Sequence, residues 1–385
     1  MRKILVRGPA LSRSGYGEHC RAVLRALRSN KTNEVYLLNV GWGASGWICE
    51  DNEEREWIDE TIIRTASEIQ SGVRDFAASI QIQLPTEWQK LCEVNIGVTA
   101  GVETTLAPKE WIQACKSMDK VLVPSQHSKE CFTEEISDLI EVINFPARNV
   151  SEKKTNYDFS TDFNFLTVAQ WNPRKNIEQT ILSFVEEFQN ENVGLILKLN
   201  IKSGSHIDRI HVKDRLESIL RELPEERECK IHLLHGTLTD SEMVSLYKNK
   251  KVSAYVTTSH GEGFGLPVFE AAQHGLPIIA ANWGGIRDYS GDFLLELDHE
   301  VKNLEEHHAW DGVLNREAEW CFPNQLSVRA KMREAYVNHS ERKKIAKKHQ
   351  NFINENFTEQ NVNLSYNSVI DKVLESTQIT ETSGD

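Results

Sequence analysis

The chain has 385 residues, of which 39% are hydrophobic and 26% charged, and this predicts a globular protein with two domains of ordinary size. Its formal net charge of −13 argues against a broadly cationic surface for nucleic acid. The sequence contains no run of about 18 apolar residues, so it predicts no membrane-spanning helix.

The beginning of the chain and its cysteines bear on the cellular compartment. Residues 1–8 become polar too soon for a signal peptide and are predicted to form the first strand. The seven cysteines show neither a CxxC pair nor zinc-ligand spacing, as is usual for reduced thiols. We therefore expect a cytoplasmic protein.

In the first half of the chain, predicted strands alternate with predicted helices. A strand at residues 3–7 leads into a glycine-containing loop, and an amphipathic helix follows at residues 18–29. A second helix is predicted at residues 57–70. The further predicted strands lie at residues 34–40, 77–84, 94–99, 120–124 and 141–145. This alternation is typical of an α/β, doubly wound sheet with mostly parallel strands.

The alternation restarts after a polar stretch at residues 151–162, which is predicted to be a linker. Strands are predicted at residues 163–169, 193–200, 230–235, 252–258 and 276–281, and helices at residues 176–189, 208–222 and 240–248. The predicted domains are residues 1–155 and residues 156–345. Residues 298–325 lack clear periodicity and are predicted to be an insertion packed by its tryptophans. Helices within residues 346–385 are predicted to pack back toward the first domain, with a frayed tail from Glu375.

The most informative stretch is the run SHGEGFGLPVFEAA at residues 259–272, directly after a predicted strand. Its three closely spaced glycines allow a sharp turn and a close approach to a ligand, and Pro267 suits a first helical turn. A turn at a helix N-terminus can hold a phosphate. Glu262 and Glu270 flank this turn, and carboxylates suit the hydroxyl groups of a ribose or a sugar. The alternative is a solvent-exposed loop with a capping acid.

Charge is unevenly spread over the first 60 residues. Residues 1–31 carry eight basic side chains against the single acid Glu18, whereas residues 50–60 are strongly acidic. Two interpretations stay open: the basic side chains cover solvated helix faces, or they form a local cleft that attracts an anionic substrate.

The run EGFGLPVFEA at residues 262–271 resembles the Glu-x7-Glu signature of retaining glycosyltransferases of family four, which have the GT-B fold. The run AQWNPRKN at residues 169–176 resembles the segment that holds the donor diphosphate in this family, and Lys175 matches its lysine. Gln170 stands where the family usually has an arginine, so Arg174 is the candidate for the missing charge. The resemblance implies two Rossmann-like domains that face each other across a cleft. The first would lie on the acceptor side, and the second would bind the donor.

In the first half, Gly15-Tyr16-Gly17 resembles the glycine loop that lies against the donor phosphates or the acceptor. The runs NIGVTAGVETT at residues 95–105 and VPSQHS at residues 123–128 resemble the acceptor side. Glu103 stands near the place where many family members have a histidine that contacts the transferred sugar; the alternative for Glu103 is a helix-start acid. His127 is expected to be structural. The turn with the glycine pair at residues 284–285 could border the donor or be an ordinary turn.

The resemblance implies a role for each candidate residue. Glu262 would contact the transferred sugar, Glu270 the nucleotide ribose, and Lys175 with Arg174 the leaving diphosphate. The predicted catalytic residues are Glu262, Lys175 and Glu103. The predicted donor-binding residues are Gly15, Tyr16, Gly17, Arg174, Lys175, Gly263, Phe264, Gly265, Leu266 and Glu270.

These motifs predict a retaining, metal-independent hexosyl- or pentosyltransferase that uses a nucleotide sugar, most plausibly a UDP-sugar, and no other cofactor. The sequence has no Asp-x-Asp or HExxH motif, so no metal is predicted at the donor. The acceptor is open between a glycan and a hydroxymethylated base in DNA. The second option arises because SGYG at residues 14–17 and the acceptor-side runs resemble glycosyltransferases of tailed bacteriophages, which would act in the host cytoplasm. A nucleotide-sugar epimerase and a catalytically silent sugar-nucleotide-binding protein are further alternatives, and the oligomeric state is not predicted.

Overall fold

A computed structural model describes the backbone of residues 1–382 and the side chains of residues 1–377. The chain divides into two compact units. Unit 1 comprises Met1–Pro146, Ala309–Asn315 and the chain from Phe357 onward, and unit 2 comprises Ala147–His308 and Arg316–Asn356. The linker predicted at residues 151–162 therefore begins unit 2.

Unit 1 is built on a parallel six-stranded sheet in the order β2-β1-β3-β4-β5-β6. Its strands are β1 (Arg2–Gly8), β2 (Asn33–Asn39), β3 (Ala78–Ile82), β4 (Val94–Val98), β5 (Lys120–Val123) and β6 (Ile140–Val142). Its helices are α1 (Gly15–Ser29), α2 (Glu53–Gln70), α3 (Lys109–Cys115), α4 (Gln126–Glu130) and α12 (Glu359–Thr382).

Helix α1 shows how the sequence forms the core of this unit. It begins after Ser14, whose side chain accepts a hydrogen bond from Gly17 N and so caps the first turn. Val23 and Leu27 lie on its apolar face and are fully buried. Helix α12 covers α1 from outside, where Ile370 joins the same core.

Unit 2 has a second parallel six-stranded sheet in the order β12-β11-β10-β7-β8-β9. Its strands are β7 (Asn164–Gln170), β8 (Gly194–Asn200), β9 (Lys230–His235), β10 (Val252–Val256), β11 (Ile278–Ala280) and β12 (Leu295–Glu296). Its helices are α5 (Ile177–Phe188), α6 (His206–Arg221), α7 (Asp240–Tyr247), α8 (Leu266–Gln273), α9 (Arg287–Ser290), α10 (Gln325–Val337) and α11 (His339–Asn356). Two parallel α/β sheets confirm the predicted fold class.

The region predicted as an irregular insertion contains an antiparallel hairpin of β13 (His299–Asn303) and β14 (Glu319–Pro323). Its two tryptophans differ in solvent exposure: Trp320 is 2% exposed, whereas Trp310 is 65% exposed. The expectation that tryptophans pack the whole insertion is therefore wrong for Trp310. The β13 run HEVKN is mostly exposed, so it carries no alternating apolar pattern that would predict a strand.

The C-terminal helices divide between the units. Helix α11 belongs to unit 2, where Gln350 Nε2 donates to Gln273 O at 2.9 Å, and α12 belongs to unit 1. The chain changes unit at residue 357, whereas a boundary at residue 346 was predicted. Helix α12 continues to Thr382 through most of the tail predicted to be frayed; residues 383–385 of that tail lie outside the described residues. No helix in the described part of the chain is long and apolar enough to cross a membrane.

Candidate active site

The motif at residues 259–272 begins as a buried loop after β10 and continues into α8. Gly265 has φ 85° and precedes the first residue of α8, so a left-handed residue lets the chain turn directly into the helix. Pro267 lies in the first turn, as predicted from its lack of an N–H group. The strand, turn and helix predicted from this run are therefore present.

Glu262 is the centre of a charged cluster in unit 2. The residue is 7% exposed, and Lys175 Nζ donates to its Oε1 at 2.5 Å. Arg174 Nη1 lies 3.4 Å from Oε2 of the same carboxylate. Burial on its own would raise the pKa of Glu262, but the charges of Lys175 and Arg174 outweigh burial and hold the pKa below its ordinary value. Glu262 is thus a buried carboxylate that stays ionised.

The loop after β7 brings the two cations to Glu262. Pro173–Lys175 form one 3-10 turn, whose first residue follows the cap Asn172. Asn176 ends the turn in the left-handed region, with φ 48°. The motif loop is hydrogen-bonded to this turn, because His260 N donates to Arg174 O at 2.7 Å and Thr258 Oγ1 donates to Asn176 O at 2.7 Å. The two loops form one bonded structure at the carboxyl ends of β7 and β10.

Gln170 occupies the position where the resembling family usually has an arginine. Its side chain is exposed and donates from Nε2 to Ile201 O at 2.6 Å. Arg174 is the second cation at Glu262, as the sequence suggested.

The glycine pair at residues 284–285 lies directly against the backbone of the motif. Gly285 N donates to Glu262 O at 2.8 Å. A Cβ atom on Gly285 would lie 2.2 Å from Gly263 O, and one on Gly284 would lie 2.8 Å from Glu262 O. Only glycine fits this approach, so the turn supports the motif loop from behind.

Glu270 and Phe264 have different surroundings from Glu262. Tyr247 Oη donates to Glu270 Oε2 at 2.9 Å, and Glu270 is half-buried on α8. The ring of Phe264 packs against Phe269 and Tyr289, with ring centroids 5.1 Å apart in each pair. Tyr289 Oη also donates to Phe264 O at 3.1 Å. The side chain of Phe264 is therefore part of the core, and a donor could meet only its backbone.

His260 holds the motif loop to the hairpin, a contact that sequence reasoning missed. Its Nδ1 lies 2.6 Å from Cys321 O, and Cys321 N donates to His260 O at 3.0 Å. The imidazole stacks on Trp320, with 5.3 Å between centroids and 10° between planes. Burial lowers the pKa of His260, so a neutral ring is favoured. The sequence shows only a histidine in the motif and an aromatic run about 60 residues later, and this does not predict that the two are in contact.

In unit 1, the predicted residues Gly15, Tyr16 and Gly17 form the first turn of α1. Gly17 is tightly packed, since a Cβ atom there would lie 2.0 Å from Ser12 O. A Cβ atom on Gly15 would meet nothing within 4 Å. Gly15 is thus exposed and has room for a side chain, whereas the packing of the loop leaves space only for glycine at Gly17.

Tyr16 and Glu103 are brought near each other within unit 1. Tyr16 Oη lies 2.8 Å from Thr99 Oγ1, and its ring stacks on Trp42 with centroids 4.0 Å apart. Burial of its hydroxyl raises the pKa of Tyr16, and the charge of half-buried Glu103 raises it further. His127 Nε2 lies 3.1 Å from Thr104 O, which agrees with the structural role expected for that histidine.

Six of the eight basic residues of the N-terminal segment are paired with carboxylates. Arg28 bonds Glu53, and Arg25 bonds both Glu18 and Glu54. Further ion pairs join Arg2 to Asp371, Lys3 to Asp75, Arg13 to Glu50 and Arg21 to Glu18. These ion pairs argue against the second interpretation left open, in which the basic side chains form a cleft that attracts an anion.

Comparisons with known proteins give a family match for part of the chain and fold matches for nearly all of it. Residues 150–294, which include the entire Glu262 cluster, match the profile of the family Glycosyl transferases group 1. The structures of Anabaena Alr3699/HepE in complex with UDP and glucose and of the sucrose-phosphate synthase of Thermosynechococcus elongatus are both similar to this chain with a TM-score of 0.63. They are 14% and 12% identical to it, cover 97% and 98% of this chain, and are each covered over 100% of their own chain. The predicted GT-B fold is confirmed, and within it residues 150–294 are similar to the family Glycosyl transferases group 1.

A curated relative is similar to part of this chain. The serotype-specific mannosyltransferase WbdA of Escherichia coli is 33% identical over 146 residues, which cover 38% of this chain. These residues span only 15% of the length of WbdA. The likeness is therefore to one part of a much longer protein.

Proposed function

We propose that this protein is a retaining glycosyltransferase that moves a hexose or pentose from a nucleotide sugar to a hydroxyl acceptor. The observation that carries this proposal is the buried Glu262 carboxylate between Lys175 and Arg174. The group 1 profile match and the WbdA likeness support the same reaction class, and WbdA favours a hexose.

The two cations would serve the leaving group. In the transfer, the bond from the anomeric carbon to the diphosphate oxygen breaks, and that oxygen takes the electron pair. Lys175 and Arg174 would stabilise the resulting negative charge, because fixed charges in a buried site need little reorganisation. A bond from the acceptor oxygen to the same face of the anomeric carbon forms, and the acceptor proton passes to the departing phosphate.

Glu262 would act on the sugar. Its ionised carboxylate can accept hydrogen bonds from sugar hydroxyls and can stabilise the positive charge that develops at the anomeric carbon. Glu270 would accept from the ribose hydroxyls, with Tyr247 Oη orienting its carboxylate. The backbone of residues 263–266 would face the diphosphate. Gly15, Tyr16 and Glu103 of unit 1 stay candidates for the donor-binding and catalytic roles that the resemblance implies.

A UDP-sugar is the donor that we propose. The likeness to Alr3699/HepE, whose structure contains UDP and glucose, supports this choice. We also propose that the transfer needs no metal, because Lys175 and Arg174 would supply positive charge to the leaving group.

A glycan is the acceptor that we propose. The alternative, a hydroxymethylated base in DNA, would call for cations that contact the phosphate backbone. Pairing of the N-terminal arginines with Glu18, Glu50, Glu53 and Glu54 removes the charge that favoured it. DNA nevertheless belongs in the acceptor screen.

A donor and acceptor screen read by mass spectrometry tests the proposal. The full-length protein is incubated with UDP-sugars and other nucleotide sugars, with oligosaccharides and hydroxymethylated DNA as acceptors. We expect Lys175→Ala and Glu262→Ala each to reduce transfer about 100-fold or more, since each removes charge stabilisation made in the transition state. Lys154→Ala and Glu225→Ala, which change exposed residues, are the matched controls.

Each other outcome of the screen has a definite meaning. Undiminished transfer by both Lys175→Ala and Glu262→Ala would overturn the roles given to these residues. An isomerised donor without acceptor would indicate an epimerase, and donor binding without any turnover would indicate a silent binding protein.

A further inference from the structure

The turn between β13 and the segment 309–315 gathers three side chains that commonly bind metal ions. Ligand atoms of Glu305, His307 and His308 all lie within 4.8 Å of one another. His307 Nε2 lies 3.5 Å from Glu305 Oε2, and the two imidazole rings have centroids 3.9 Å apart. This group belongs to unit 2 and is separate from the Glu262 cluster in its residues.

The local backbone explains why these side chains share one side of the turn. Glu306–His308 form a single 3-10 turn, and His308 N donates to Glu305 O at 2.9 Å. In a 3-10 turn, side chains three residues apart are eclipsed, so Glu305 and His308 project in the same direction. His307 lies between them in the chain and folds back onto His308.

We propose that Glu305, His307 and His308 form a Zn²⁺ site that stabilises the β13–β14 hairpin. Two imidazoles and one carboxylate are a nitrogen and oxygen set that suits Zn²⁺, with water completing a tetrahedral sphere. Glu305 and His307 have side chains that are 62% and 69% exposed, so an ion can reach them from solvent and small rotations can bring the ligand atoms together.

The proposed ion would act on the hairpin through an aromatic contact. The ring of His308 lies 5.3 Å from that of Trp320, which in turn stacks on His260 at 5.3 Å. Fixing His308 with a metal would restrict Trp320 and hence the strand that holds the motif loop. The proposal therefore assigns to the ion a structural role rather than a step in sugar transfer.

Metal titration of the full-length, chelator-treated protein tests this site. We expect calorimetry to show one Zn²⁺ bound per chain, and thermal unfolding to show a Tm raised by a few degrees. The double variant His307→Ala/His308→Ala should bind Zn²⁺ at least tenfold more weakly and lose the rise in Tm. Co²⁺ should give a tetrahedral d–d spectrum without the charge-transfer band of a thiolate ligand, since no cysteine belongs to the site.

Two controls distinguish Zn²⁺ binding at this site from nonspecific binding by other surface histidines. The variant His206→Ala/His211→Ala removes two exposed histidines of α6 and should leave Zn²⁺ affinity unchanged. Circular dichroism of both variants without metal shows whether they are folded. Zn²⁺ binding of equal strength in the His307/His308 variant, or no saturable binding by the unaltered protein, would overturn the proposal.

Discussion

At the scale of single residues, the ionised state of Glu262 is linked to folding. Two cations lower the pKa of its buried carboxyl in the folded protein, whereas the unfolded chain has the ordinary value of about 4.3. A depressed pKa contributes stability above the unfolded value, and this contribution is lost as the pH falls through the folded value. Charge pairing at the site therefore stabilises the protein at neutral pH and fails in acid.

The Glu262→Gln variant should show this dependence. At pH 7 we expect its free energy of unfolding to be about 1–3 kcal/mol lower, because Lys175 and Arg174 lose a buried charged partner. Below about pH 4 the difference from the unaltered protein should shrink as Glu262 becomes protonated. Denaturant unfolding of both proteins between pH 7 and pH 3 measures it, and a gap that is constant over this range would contradict the linkage.

The approach of Gly285 to the motif gives a second residue-scale prediction. Gly285→Ala places a Cβ atom 2.2 Å from Gly263 O and 2.6 Å from Phe264 Cα, both of them backbone atoms. We expect it to lower the free energy of unfolding by about 1–3 kcal/mol and to impair donor binding. Gly46→Ala is the control, since its Cβ would meet nothing within 4 Å, and it should change stability by less than about 0.5 kcal/mol. Equal stability of the two variants in denaturant unfolding would contradict the packing described for this turn.

How far the site could be predicted depends on the kind of contact. Glu262, Lys175 and Arg174 were predicted from the sequence because the runs EGFGLPVFEA and AQWNPRKN resemble two motifs of one family. The burial of the Phe264 ring beside Tyr289 could not be found this way, because it depends on a residue 25 positions away. The chemical groups of a loop can be predicted from its sequence more readily than the directions in which its side chains point.

At the scale of elements, most strands and helices of the two units were predicted within a few residues, but β12, α3, α4, α9 and the hairpin were not. Buried parallel strands such as β10 are continuous apolar runs, and these are visible in one sequence. Strand β13 is exposed, and its partner β14 lies beyond the turn at residues 305–308. Strand β14 also contacts His260 through Trp320 and Cys321, and no local sequence pattern encodes these contacts.

Helix α12 allows a direct test of packing in unit 1. Ile370 is fully buried in the core under α1, so Ile370→Ala should lower the free energy of unfolding by about 2–5 kcal/mol. Leu364 lies on the same helix but is 60% exposed, and Leu364→Ala should cost less than about 0.5 kcal/mol. Denaturant unfolding compares the two. Similar losses in both variants would mean that α12 does not pack as described.

At the scale of the whole molecule, the acidic stretch at residues 50–60 balances the basic start of the chain. Glu50, Glu53 and Glu54 each pair with an arginine of residues 1–31. The sequence shows the acidic stretch and the basic stretch, but it does not show that they form ion pairs. Pairing requires the start of α2 and helix α1 to lie side by side. The protein has a net charge of −13, and these paired arginines do not form a basic surface that could bind an anion.

The charge pairing predicts weak binding to DNA. Fluorescence anisotropy should show little affinity of the unaltered protein for duplex DNA at an ionic strength of about 0.15 M. The variant Glu53→Gln/Glu54→Gln leaves Arg28 and Arg25 with fewer partners and should bind DNA several-fold more tightly at low salt, with a steeper salt dependence. Tight, strongly salt-dependent binding by the unaltered protein would favour the DNA acceptor instead.

The hydrogen bonds between His260 and Cys321 also limit how this protein can be recombined with its relatives. The family match ends at residue 294, yet the loop that carries Glu262 is held by a strand beginning at Glu319. A chimera with a junction at residue 294 would give the transplanted Glu262 loop a foreign support. Exchange of a functional unit should instead carry residues 147–308 and 316–356 together, with a short turn in place of residues 309–315.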